Sequence, residues 1–302
     1  MVEKKDRLSL RARVIISIRR FFEESGYLEV DTPIIIPAPA PEVHIDAIRA
    51  GYDRFLQTSP ELCMKRLMAS GYPKIFQICK CFRESERGHN HLPEFTILEW
   101  YRSGIDYQDL MMECEEMIHM VVRDLGIGQT IAYLGDRIDL SRPWDRLSVE
   151  EAFNCYSSTS LNQALEEDRF DEIMVLEIEP RLNRKRPLFL YDYPASLASL
   201  ARIKEKKPDV SERFELYLGG LELANAFSEL TDAGEQARRF DLDQERRKRM
   251  GKSSYPIPEK FLKALDTMPP TAGIAFGLDR LVMILGNTDR IDDVVAFTPE
   301  EL

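Results

Sequence analysis

No stretch of this sequence stays apolar long enough to cross a membrane, and no repeat or low-complexity tract interrupts it. Lys4, Lys5 and Arg7 are followed by Arg11, Arg13, Arg19 and Arg20, which break up any leader peptide or spanning segment, so the cytoplasm is the expected location. Cysteine is sparse too. Of Cys63, Cys79, Cys81, Cys114 and Cys155 only Cys79 and Cys81 are close, and no second pair completes a metal set, so reduced, packed thiols are expected. An excess of basic charge is also missing: 52 acidic against 41 basic residues give a net charge of -11, which disfavours broad phosphate binding and leaves room only for a local basic face. What the 302 residues do contain, 44% of them hydrophobic and 31% charged, is enough to bury a core.

Residues 9 to 25 carry Leu10, Val14, Ile18, Phe21 and Phe22 at helical spacing, with Ser9 as the expected N-cap and Gly26 as the stop. "YLEVDTPIII" then reads as a strand that ends in the proline-rich loop "PAPAPE". "KIFQICKCFR" and "EFTILEWYR" read as two strands joined by a polar loop over 84 to 94, and residues 107 to 125 return to helical periodicity. "IAYLGDRIDL" is a hairpin turning at Leu134 and Gly135, "SVEE" opens a helix with a capping box, and residues 167 to 182 are expected to form another helix. Two strands meet at Gly219-Gly220, and a charged helix follows near 233 to 250. Strands joined by hairpins and flanked by helices predict a single α+β domain over 1–302, built on an antiparallel sheet.

Strand alternation puts Phe95, Ile97, Glu99 and Tyr101 on one face and Thr96, Leu98 and Trp100 on the other. On the preceding strand Gln77, Cys79, Cys81 and Arg83 share a face. A ring, a carboxylate and a phenol side by side suit a binding surface, because a buried carboxylate needs a cation or donors; an exposed face with solvated charges is the alternative the residues leave open. In the Gly219-Gly220 hairpin, a two-residue primed turn pairs Leu218 with Leu221 and Tyr217 with Glu222, which sets Glu215 diagonal to Glu222. Two such carboxylates can share a divalent cation of the Mg²⁺ kind. Asn225, Phe227 and Glu229 share a face, but Glu222 has the opposite parity, so one bulge or twist is needed before all four face one pocket.

"FRES" with "HLPEFTILEWY" resembles the second signature motif of class II aminoacyl-tRNA synthetases, "GIAFGLDRL" the third, and the first helix followed by "DTPII" with Pro33 the first, all in order. "TSPELCMKRL", "YDYPASLASLA", "GLELANAFSELTDA" and "PPTAGIAFGLDRLVM" are similar to lysyl-tRNA synthetases, across nearly the whole chain. Those enzymes carry an OB-fold anticodon-binding domain ahead of the core, and none is expected here. In that respect the chain resembles the free-standing paralogues of those synthetases, and the resemblance implies attachment of (R)-β-lysine to a lysine of elongation factor P.

The resemblance implies ATP and Mg²⁺ as co-substrate and cation, a homodimer built through motif 1, and no tRNA. It implies that Arg83 holds the α-phosphate, and that Phe95 and Arg280 sandwich adenine, with Arg280 also on the γ-phosphate. Glu84, Ser85, His91, Leu92, Glu222, Leu223 and Gly277 correspond to further ATP-binding positions, and Glu215 and Glu222 to the metal ligands. For the amino acid it implies Glu61 and Glu99 at the carboxylate-proximal amine, Tyr101 and Glu229 at the terminal ammonium, and Ser59, Pro60, Asn225, Phe227 and Ala275 as further substrate-binding positions. Three positions depart from the lysyl pattern. Ser85 stands where motif 2 has glutamate, Leu92 where asparagine is common, and Ala275 replaces a glycine, as in the ligase group. A methyl group of that size shifts discrimination by about 1–3 kcal/mol. A lysyl-tRNA synthetase-like enzyme that activates α-lysine for tRNA or another acceptor is the second reading, and a catalytically silent binding subunit the third.

Overall fold

The computed structural model describes residues 3–302. Helix α1 (Lys4–Glu24) leads through strands β1 (Leu28–Glu29), β2 (Ile35–Ile36) and β3 (Phe55–Leu56) to α2 (Glu61–Ala69), β4 (Lys74–Phe82) and β5 (Glu94–Ser103). After α3 (Tyr107–Asp124) come β6 (Thr130–Tyr133), β7 (Asp136–Asp139), β8 (Asp145–Ser148), α4 (Val149–Tyr156), α5 (Leu161–Glu166) and α6 (Phe170–Ile173). The last part holds β9 (Leu188–Pro194), β10 (Ile203–Lys204), β11 (Lys207–Leu218), β12 (Leu221–Ser228), α7 (Ala233–Arg249), α8 (Glu259–Leu265), β13 (Thr271–Gly277) and α9 (Leu278–Leu285).

One nine-stranded sheet, ordered β1-β4-β5-β13-β12-β11-β9-β8 with β10 on β11, organises the chain. It is antiparallel except where β1 runs with β4 and β8 with β9. The apolar parity of each strand, represented by Phe76, Leu98, Trp100, Ile274, Phe276 and Phe214, packs under Val14, Ile18 and Phe22 of α1, Leu110 and Ile118 of α3, and Leu281 of α9. The opposite face is covered only at its two ends. Helices α2, α7 and α8 close one end around Met64, Met68, Phe240 and Phe261, while α4 to α6 close the other against Leu188, Leu190 and Tyr217. The middle of that face is the floor of a cleft.

Several local expectations hold. Ser148 makes the expected reciprocal capping box, Gly26 ends α1 with φ 76°, and Gly219 and Gly220 have φ 62° and 85°, as a type I′ turn requires; Asp106 makes a second such box, not expected from the pattern, at the start of α3. Others fail for physical reasons. Ser9 lies inside α1, its hydroxyl donating back to the Lys5 carbonyl at 3.0 Å, because the helix starts earlier, after Glu3. The strand expected at 27–36 splits into β1 and β2 around Pro33, whose missing N–H cannot join a ladder. The helix expected at 167–182 is broken: Asp168 takes φ 54°, α6 runs into a π-helical turn over Met174–Ile178, and Pro180 ends the run in a 3₁₀ turn.

Candidate active site

The middle of that face, the floor of the cleft, presents side chains in transverse rows set by strand register. Gln77, Glu99, Ala275, Asn225 and Glu215 form one row, and Ile75, Tyr101, Gly273, Phe227 and Arg213 the next. A further row towards the strand ends begins with Cys79, Ile97 and Gly277. The parity conflict at Glu222 is resolved by a bulge: Leu216 pairs with Ala224 but Tyr217 pairs with Glu222, so Leu223 is the extra residue. Glu222, Asn225 and Phe227 then line one cavity of about 260 Å³.

That cavity also takes in Ser59, Glu61, Arg83, His91, Leu92, Phe95, Glu99, Tyr101, Leu223, Ala275, Gly277 and Arg280. Pro60 stands just outside, as the N-cap of α2, and Leu92 turns its side chain into the main core. Glu84 and Ser85 are exposed rather than on the cavity wall, because the chain turns at Ser85 with φ 64°; the acid that comes back to the cavity is Glu86, 3.6 Å from Arg83. Glu215 lines a second, adjoining cavity of about 750 Å³.

At the closed end of the first cavity, three carboxylates meet one internal cation. Glu99 is 0% exposed and accepts from Ser59 Oγ at 2.5 Å and Tyr101 Oη at 3.1 Å. Burial and the nearby charge of Glu61 push its carboxyl up to about 8 despite those donors. Glu229, 1% exposed, is also pushed up to about 8, burial outweighing Lys65. Lys65, itself 1% exposed, reaches from α2 to Glu61 Oε1 and Glu229 Oε2, both at 2.5 Å, with its ammonium 5.0 Å from the centre of the Phe227 ring. Burial alone would lower the Lys65 pKa, but the two carboxylates outweigh it and hold the lysine charged. Tyr101 and Glu229 close over Gly273: a Cβ there would lie 2.2 Å from Tyr101 Cε1 and 2.4 Å from Glu229 Oε1. The two side chains thus face one compartment.

At the other end the guanidinium of Arg83 stands over the Phe95 ring at 4.9 Å. Arg280, from the first turn of α9, donates to the Glu222 carbonyl at 2.6 Å and lies 3.4 Å from its carboxylate. Its other nitrogen donates to His91 Nε2 at 2.6 Å; burial and the Arg280 charge lower the His91 pKa and keep that ring neutral, so it can accept. Glu215 accepts from Arg213 at 2.7 Å and Tyr217 Oη at 2.8 Å, while Arg213 also donates to Asn225 Oδ1 at 3.1 Å. Burial and repulsion from Glu222 nevertheless raise the Glu215 pKa. Two mutually repelling carboxylates fit a hard divalent cation, and Glu179 stands close by, accepting from the same Tyr217 Oη at 3.3 Å.

Lys65, Arg213, Glu86 and Gly273 were not among the residues picked out by pattern. Lys65 had a readable signal, since it sits four residues after Glu61 on one helix. Arg213 shares strand parity with Glu215, but its role depends on the register of β12.

This cleft, with an arginine at the end of β4, an arginine at the start of α9 and an antiparallel sheet floor, matches the class II synthetase pattern. The chain belongs to the family of tRNA synthetases class II (D, K and N), whose model matches residues 2–301. Within that family it is similar to the elongation factor P (R)-β-lysine ligase of Edwardsiella ictaluri, 38% identical over 304 residues that cover 95% of this chain and 93% of the relative. The ligase of the same name from Erwinia tasmaniensis is 39% identical over 305 residues, covering 95% and 93%, and that from Sodalis glossinidius 38% over 310 residues, covering 96% and 94%. No helix among the described residues is long and apolar enough to cross a membrane.

Proposed function

We propose that this chain is an ATP-dependent ligase that activates (R)-β-lysine as an adenylate and transfers it to a lysine side chain of elongation factor P. The observation that carries this reading is the compartment under Gly273, where Glu61, Glu99, Tyr101 and Glu229 converge around space for a guest with two amines. A diamino acid needs an anion at each end. Glu61 and Glu99 receive the amine nearer the carboxylate, Tyr101 and Glu229 the terminal ammonium, and Ala275, between Glu99 and Asn225, sets the floor.

Phe95 and Arg280 hold adenine, and Arg83 beside Phe95 brings its charge to the α-phosphate. The substrate carboxylate attacks the α-phosphorus in line and pyrophosphate leaves; positioning and charge neutralisation by the arginines suffice, with no protein base. Glu215 and Glu222 are the residues that would hold Mg²⁺, which supplies neutralising charge on the phosphates when bound. We place the enzyme in the cytoplasm as one catalytic domain and as a homodimer through motif 1, a reading supported by exposed Ile16, Leu28, Ile34 and Ile35 along that segment.

Pyrophosphate exchange with α-lysine and with (R)-β-lysine, followed by transfer to elongation factor P or to tRNA, tests the proposal. Exchange driven by the β-isomer and transfer to the protein are expected. Charging of tRNA in place of the protein would replace this reading with the synthetase-like one.

A further inference from the structure

The second cavity, of about 750 Å³, opens beside the first, and the two share a short list of residues: Glu42, Ile45, Leu200, Asn225 and Phe227. Glu42 is the one carboxylate on that border. It ends the "PAPAPE" loop, and the loop is fixed from beneath by Arg247 of α7, which is 0% exposed. The Arg247 guanidinium donates to the Glu42 carbonyl at 2.7 Å, the Ile45 carbonyl at 2.9 Å and the Asp46 carboxylate at 2.8 Å, and it lies 4.2 Å from the centre of the Tyr255 ring. Asp46 in turn accepts at its carbonyl from the Glu84 N–H at 2.7 Å, which ties the loop to the segment that follows Arg83. A fully buried arginine spent on backbone carbonyls makes a rigid mount. The side chain it mounts is left free: among the described residues nothing pairs with the Glu42 carboxylate, which is half-buried.

We propose that Glu42 is the general base of the transfer step, taking a proton from the acceptor's lysine ammonium as it enters through the second cavity. This rests on the ligase reading above. The ammonium gives one proton to Glu42, and the freed lone pair forms the C–N bond to the activated carbonyl. The C–O bond to phosphate breaks with its electron pair and AMP leaves, while the second N–H proton passes to water in the wide cavity. A base is needed there because a lysine amine, with an ordinary pKa near 10.4, is almost wholly protonated at neutral pH. The groups around Glu42 suit the task. They are Glu61 on α2, Arg83 after β4, Arg213 on β11, Asp243 and Arg247 on α7, Glu86 across the first cavity, and His44 and Asp46 on its own loop. Burial, Glu61 and Asp243 raise its carboxyl to about 7, against Arg83 and Arg213.

The test is Glu42→Gln, comparing single-turnover transfer from preformed enzyme-bound adenylate with pyrophosphate exchange by the same preparation. The ratio of transfer to exchange is expected to fall about 10²-fold at pH 7 and to recover as pH approaches the amine's own pKa. Hydroxylamine, which is neutral at pH 7 and needs no base, should capture the adenylate equally well in both proteins. Glu42→Asp should restore part of the transfer. An unchanged ratio across pH, or a parallel loss of hydroxylamine capture, would overturn the assignment; a raised exchange KM for β-lysine would make Glu42 a substrate ligand instead. Absence of exchange in the unaltered enzyme would sink the ligase reading itself.

Discussion

Gly273 carries a steric demand that no other residue type meets. Its neighbours at 2.2 Å and 2.4 Å are a buried ring and a buried carboxylate that cannot swing away without leaving the compartment. Gly273→Ala is therefore expected to cost about 1–3 kcal/mol of stability and to abolish lysine-dependent pyrophosphate exchange, while binding of ATP alone, followed by calorimetry, persists. Lys65 makes a different demand. Replacing it by methionine leaves Glu61 and Glu229 facing each other without a cation, a loss of about 3–5 kcal/mol in chemical denaturation at pH 8. The loss should shrink at pH 5, where Glu229 is protonated. At this scale alternation alone assigned Phe95, Glu99 and Tyr101 to one face, because a strand's period is rigid. It did not reveal the reach of Lys65 to Glu229, that of Arg213 to Asn225, or the place of Glu42 on the cavity border, all of which depend on elements distant in sequence.

Among the elements, the β11–β12 hairpin holds the site's most informative irregularity. Were Leu223 to pair in the ladder instead of bulging out, Glu222 and Asn225 would sit on opposite faces, and the diagonal with Glu215 would be lost. Deleting Leu223 removes the bulge but keeps Glu222 opposite Tyr217 and Asn225 opposite Glu215, so Mg²⁺-dependent ATP binding, read by calorimetry with and without the cation, is expected to persist, whereas Glu215→Gln with Glu222→Gln should abolish it in a protein whose sheet persists by circular dichroism. The Gly219-Gly220 turn and the flanking pairs were legible because two adjacent positive-φ positions leave few alternatives. The bulge was legible only as a need: parity says that one residue must be accommodated but not where, since that depends on how β13 pairs beyond. The broken run at 167–182 was missed for a similar reason. Its apolar residues serve a small separate core against β9, where packing sets the path instead of helical period.

For the molecule as a whole, one sheet carries the exposed motif 1 edge at β1 and the arginine-bearing strand β4 as hydrogen-bonded neighbours. For the homodimer proposed above, Ile16→Glu with Ile35→Glu is expected to leave a monomer in sedimentation where the unaltered chain sediments as a dimer, without unfolding the chain; a monomer in both would remove that proposal. Acid–base balance also acts globally. Glu42, Glu99 and Glu229 bind protons more tightly in the folded chain, at about 7, 8 and 8, than their ordinary carboxylate value. Between about pH 4.5 and pH 8 the folded state therefore holds more protons than the unfolded one, and thermal stability should fall as pH rises through that window. A saturating diamine guest, which prefers the ionised carboxylates, should cancel the slope and release protons into the buffer, a quantity that calorimetry in two buffers reads directly. The lysine built into the pocket turns this into a counting device. Three negative groups less one resident positive leave two vacancies of charge, matched by a guest with two ammonium heads. A competitor with a single amine leaves one vacancy that only a proton can fill, so the enzyme should reject such amino acids least in acid and most in alkali.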